Sequence, residues 1–149
     1  MRNISSRRPP AGRRYRAVLV AAALLAACRH QTPEQELLDK AGSAGSWIST
    51  LQMAGEKWLA NSVPTSFIKT TCKAADDDLD QAAQEAAESK ARPEVRDPLR
   101  QVISQSRAAE TSLRRAAEVN DRPEAARQAN RLAVLRKQFE AWKKSVGPP

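Results

Sequence analysis

Along most of this chain, apolar or small residues recur at alternating steps of three and four, and that rhythm admits few folds. Leu37, Ala41, Ala44, Ile48, Leu51, Gly55 and Trp58 make one such series, and Ile68, Cys72, Ala75, Leu79, Ala82 and Ala86 a second. A third runs Val95, Leu99, Val102, Ser106, Ala109, Leu113 and Ala116, and a fourth Leu132, Leu135, Phe139, Trp142 and Val146. Side chains spaced this way share one face of an α-helix and form the seam of a left-handed bundle. No segment alternates with the period of two that a half-buried strand needs, so the expected class is all-α.

Prolines punctuate the four series. Pro33, Pro64, Pro93 and Pro123 follow one another at intervals of 31, 29 and 30 residues. Proline suits a first helical turn because the amide hydrogen it lacks would be unpaired there. Thr32-Pro33-Glu34-Gln35 and Asp121-Arg122-Pro123-Glu124 resemble capping boxes, and Ser62 and Asp97 are further candidate caps. Four helical segments of about 24 to 28 residues with short turns fold most simply as an antiparallel up-down four-helix bundle, about 40 Å long. The open point is Gly42-Ser43-Ala44-Gly45, where two glycines at about 1 kcal/mol each would break the first helix and leave residues 34–45 as tether. A tetratricopeptide array would need its Trp, Gly and Tyr signature, which is missing.

The N-terminus reads differently. Six arginines and no acid precede Ala17-Val-Leu-Val-Ala-Ala-Ala-Leu-Leu-Ala-Ala27, an apolar run of eleven residues. That run is the length of a signal-peptide core and well short of the roughly 20 residues that cross a bilayer. It closes on Leu25-Ala26-Ala27-Cys28. This resembles the lipobox of bacterial lipoprotein precursors, and the likeness covers the first 28 residues alone. It implies that residues 1–27 are removed after Ala27 and that Cys28 takes a diacylglyceryl group on its sulfur, usually with acylation of the new N-terminus. Two or three acyl chains make a stable anchor, since each buried methylene contributes about 0.8 kcal/mol. An ordinary signal peptide with a chance cysteine, or an unusually short anchor, are the alternatives. The Arg7-Arg8 and Arg13-Arg14 pairs lack the hydrophobic residues expected after a twin-arginine motif. Arg29 follows the cysteine where Asp would favour inner-membrane retention, which implies the outer membrane, facing the periplasm, if the envelope is Gram-negative.

Removing that segment changes what the charge means. The whole chain carries a formal +8, which by itself would suggest nucleic acid. Residues 28–149 keep 19 bases and 17 acids, so six of the eight excess charges belong to the leader. With export as well, nucleic acid is not expected as a partner. The mature chain is instead polarised: residues 28–91 carry a net −4 and residues 92–149 a net +6. Arg96, Arg100, Arg107 and Arg114 form a stripe that would face the acidic second helix or bind an anionic envelope partner.

The chemistry-bearing residues are few. Asp76, Asp78 and Asp80 imitate the first ligands of a calcium loop, but Gln81 and Ala87 stand where Gly and Glu are required. His30 sits beside Cys28 without a haem-binding context, and no Gly-x-Ser-x-Gly elbow occurs. Glu85, Glu88, Glu110 and Glu118 fall mostly off the seams and read as surface charge. No catalytic residue, metal ligand or cofactor is therefore expected. Cys72, on the second seam, reads as a buried thiol rather than an intermolecular disulfide. Trp58, Phe67, Phe139 and Trp142 read as core, and Trp47, one residue off its seam, as the best candidate for a surface patch.

The chain is thus expected to be a signal peptide over residues 1–27, a lipidated cysteine and tether over 28–33, and a helical bundle over 34–146. The expected role is a lipid-anchored, non-enzymatic interaction or structural module of the bacterial envelope, held to a membrane through Cys28 and meeting an envelope protein or anionic polymer. The alternative is a periplasmic chaperone or carrier, for which Ala82, Ala83, Ala86 and Ala87 would leave room for an apolar guest.

Overall fold

The computed structural model describes residues 31–147, all of whose regular structure is helical. The leader, Cys28 and His30 lie outside the described residues. Five helices follow in order: α1 (Pro33–Lys40), α2 (Gly42–Leu59), α3 (Thr65–Glu88), α4 (Pro93–Glu118) and α5 (Arg122–Val146). The first expected segment is divided at Ala41, yet the glycines do not break it. Helix α2 starts at Gly42 and runs through Gly45, and the amide of Gly45 reaches the Ala41 carbonyl over 3.4 Å. Residues 34–45 are thus helical on either side of a one-residue turn rather than tether.

Two expected caps form. The Thr32 hydroxyl accepts the Gln35 amide at 3.2 Å, and the Asp121 carboxylate accepts the Glu124 amide at 2.9 Å. Two do not. Helix α3 begins after Pro64 with no side-chain cap, so Ser62 caps nothing there. Asp97 lies inside α4, because that helix starts five residues before Pro98 rather than at it. Pro98 withholds the amide that would bond the Glu94 carbonyl one turn back, a tolerable loss near a helix start. Helices α2 and α4 end alike. Asn61 and Asn120 take φ of 56° and 55°, and 6→1 bonds run from Ser62 to Lys57 at 2.8 Å and from Asp121 to Ala116 at 2.8 Å. These are Schellman endings, with asparagine in the left-handed position that glycine usually fills.

The four seams converge on one core. All of their residues are buried except Val95 and Val146, which pack against its edge. Consecutive long helices pack together and α2 closes against α5, while α1 lies on α2, α3 and α5, so the domain is a helical bundle. The hydroxyl of Ser106, the polar member of a seam, is satisfied by the Val102 carbonyl at 2.8 Å. Alanines supply much of the interior: Ala75, Ala82 and Ala86 on α3 and Ala109 and Ala116 on α4 all belong to the same buried cluster. Small residues let backbones approach closely, which is how a chain with few large apolar side chains fills an interior at ordinary density. No helix among the described residues is long and apolar enough to cross a membrane.

Candidate functional site

The polar chemistry of the bundle concentrates where α3 faces α4. Arg107 reaches across to both Asp76 and Asp80, at 3.3 and 2.6 Å. These two acids sit one helical turn apart on α3, so a guanidinium fork spans them. An open groove runs beside this contact, lined by Asp76, Arg100, Ser104, Arg107 and Thr111 among others. Lys69 and Glu118 make a second link between the same helices at 3.8 Å. The charge polarity of the sequence is therefore spent in part on joining these two helices.

The arginine stripe does not act as a unit. Arg96 and Arg100 both turn to Asp97 on their own helix, at 3.2 and 4.0 Å. Arg107 alone of the four reaches the acidic helix, and Arg114 lies 3.8 Å from Glu110. Each thus lies within ion-pair distance of a carboxylate, Asp97 serving both Arg96 and Arg100. Asp78 accepts the indole N–H of Trp47, so Trp47 is half-buried and tied to α3 rather than set in a surface patch. Phe67 departs the other way: expected in the core, it is exposed at the start of α3. No group of three or more His, Cys, Asp or Glu side chains among the described residues is placed to hold a metal ion.

Glu110 is the feature that seam counting misplaced. Expected at the surface, it is 0% exposed. Its Oε2 accepts the Thr111 hydroxyl at 3.1 Å, but its Oε1 has no hydrogen-bond donor and only the Arg114 Nε at 3.8 Å. Burial pushes its carboxyl above the usual range, and the Thr111 hydroxyl and Arg114 charge pull part of the way back. The signal was present in the sequence. Ile103, Glu110 and Ala117 recur at steps of seven, and all three are buried as a second row beside the seam. Helix α4 packs on both α3 and α5, so its buried stripe is wider than a two-position seam.

Cys72 lies beside this carboxyl, buried and unpaired with any cysteine, its sulfur 3.9 Å from the Glu110 carbonyl oxygen. Burial first, and then the charge of Glu110, push its thiol up to about 12. A thiol so placed stays protonated at neutral pH and is a poor nucleophile. The alanines proposed to line a guest chamber divide: Ala82 and Ala86 are buried, Ala83 packs at the core edge and Ala87 is exposed.

A second polar cluster closes the end of the bundle where α2 and α4 stop. Arg122 donates to the Leu59 carbonyl and, at 3.1 Å, to Oδ1 of Asn61. Its guanidinium carbon also sits 5.3 Å from the Trp58 ring centre, while the Trp58 indole donates to the Thr65 hydroxyl at 3.1 Å. One side chain on α5 thereby holds the turn between α2 and α3. Comparisons of the chain with protein-family models, with curated proteins and with solved structures gave no match.

Proposed function

We propose that this chain is a lipid-anchored envelope protein whose up-down helical bundle works as an interaction or structural module rather than as an enzyme. One observation carries the reading: the eleven-residue apolar run ending in Leu25-Ala26-Ala27-Cys28, behind a segment rich in arginine and free of acid. The leader is removed and Cys28 becomes the lipid-bearing N-terminus, five residues before α1. Arg29 in the next position directs the protein to the outer membrane, facing the periplasm, if the envelope is Gram-negative.

The geometry supports a module rather than a reaction centre. The polar side chains that would attract a catalytic reading serve helix pairing, with Asp76 and Asp80 on Arg107 and Asp78 on Trp47. The Cys72 thiol is held near 12, out of reach of nucleophilic chemistry at neutral pH.

The test is metabolic labelling of a bacterial host with an alkyne analogue of palmitate. The wild-type chain takes up label and fractionates with membranes, and Cys28→Ser takes up none and keeps its leader. Labelling that survives Cys28→Ser would contradict the reading.

A further inference from the structure

We infer that the outward face of α5, built on Arg127, Arg131, Lys137 and Lys144, is a docking surface for anionic lipid headgroups. The inference deepens the envelope reading above and rests on it. The residues lie at steps of four, six and seven along one helix, all exposed, and their Cα atoms span about 26 Å at 1.5 Å per residue. The buried stripe of α5 is Ala125, Ala129, Leu132, Leu135, Phe139 and Trp142, and helical phasing puts Arg127, Lys137 and Lys144 on the opposite side, with Arg131 at its edge. No carboxylate stands between Arg127, Lys137 and Lys144 on that side. The two acids of the helix, Glu124 and Glu140, flank it and are already engaged, with Arg127 and with Lys143 at 3.5 Å.

Pairing separates this face from the arginines of α4. Arg96, Arg100, Arg107 and Arg114 each have a carboxylate within ion-pair distance, whereas Arg131, Lys137 and Lys144 have no ion pair among the described residues. An unpaired base gives up only water and mobile ions on meeting an anion, so its attraction is not spent within the fold. Val134, 53% exposed, stands midway along the same side. An apolar side chain among bases suits the boundary between headgroups and acyl chains.

The length of the link to Cys28 favours a lipid surface over a soluble polymer as the occupant. Helix α1 packs on α5 and begins five residues after Cys28, a link of at most about 18 Å when extended. A chain anchored at Cys28 therefore keeps this helix within reach of the headgroups of its own membrane.

The test uses the full-length chain carrying Cys28→Ser, so that no acyl chain contributes, with an environment-sensitive dye on Val134→Cys. Its reference carries the dye on Ala74→Cys, exposed on α3, and Cys72 is buried and stays unlabelled. Vesicles of equal parts phosphatidylcholine and phosphatidylglycerol should shift the dye at 134 and leave that at 74 unchanged, and phosphatidylcholine alone should shift neither. Adding Arg127→Gln, Arg131→Gln, Lys137→Gln and Lys144→Gln should abolish the shift at 134, since docking of the face weakens roughly fivefold per charge removed. The basic leader brings every variant to anionic vesicles alike, so only the position of the dye reports the face. Equal shifts at 74 and 134, no response to the four substitutions, or displacement by a soluble anionic polymer at lower charge concentration than lipid would each overturn the inference. The dye-bearing chain lacks the anchoring cysteine, so its result is independent of whether the wild type is acylated.

Discussion

Gly45 lies against the ring of Phe139 so closely that a β-carbon on Gly45 would overlap three of its ring carbons. This is where α2 meets α5, and Phe139 also packs on Trp142, ring centres 5.5 Å apart. Trp142 in turn donates its indole N–H to the Val95 carbonyl at 2.7 Å, so the ring has little room to retreat.

Gly45→Ala should therefore destabilise the bundle by about 1–3 kcal/mol through overpacking, against a helix-propensity gain of under about 1 kcal/mol. Gly42→Ala is its control. An added β-carbon there meets nothing within 4 Å, so it should stabilise by about 0.5–1 kcal/mol. Urea unfolding of the two variants reads the difference, and a stabilised Gly45→Ala would contradict this packing.

Glu110 makes stability depend on pH in an unusual direction. Burial raises its folded-state pKa above the unfolded value, so the folded chain holds the proton more tightly. The resulting stability is fully present below the unfolded pKa, about 4.3. It is lost as pH rises through the folded pKa. Glu110→Gln, which cannot ionise, should be the more stable chain at pH 7 by about 1–3 kcal/mol, with the gap closing toward pH 4. Paired melting curves across that range test it; a variant less stable at pH 7 would mean that the Arg114 contact outweighs the buried charge.

Arg122 should matter more than its surface position suggests. Arg122→Ala removes its contacts with the Leu59 carbonyl, Asn61 and the Trp58 ring together, at an expected cost of about 1–2 kcal/mol. The loss should be local. Amide exchange should quicken at Ser62 and the other turn amides more than in α3 or α4 interiors.

The arginine stripe predicts unequal members. Arg107→Gln breaks two contacts between helices and should cost about 0.5–1 kcal/mol, whereas Arg100→Gln breaks one long contact within its own helix and should cost close to zero. Equal costs would mean that the fork across Asp76 and Asp80 adds nothing to helix pairing.

The all-helical class and the core were legible because burial in a bundle is periodic and periodicity is local. Leu51, Leu79, Leu113 and Leu135 could be placed by counting alone, and each is buried. What counting missed came from contacts between helices. Glu110 is buried because α4 has neighbours on two sides, and Trp47 is tied down because Asp78 lies across from it on α3. Asn61 and Asn120 close their helices in a conformation that proline spacing does not encode. The stripe on α4 is expected from sequence to face the acidic second helix or to meet an anionic partner: Arg107 takes the first course, while Arg96 and Arg100 turn to Asp97, which reads in sequence as a cap, and Arg114 lies near Glu110, which reads as surface charge. The freer bases of α5 drew no notice because they follow no regular interval.

The central claim, a mature chain that begins at a lipid-bearing Cys28, is tested most directly by the intact mass and N-terminal peptide of the protein recovered from the envelope of expressing cells. The account predicts a chain starting at Cys28 and heavier than residues 28–149 by a diacylglyceryl group, with or without a further acyl chain. A chain that still begins at Met1, or one cut elsewhere with Cys28 unmodified, would contradict it.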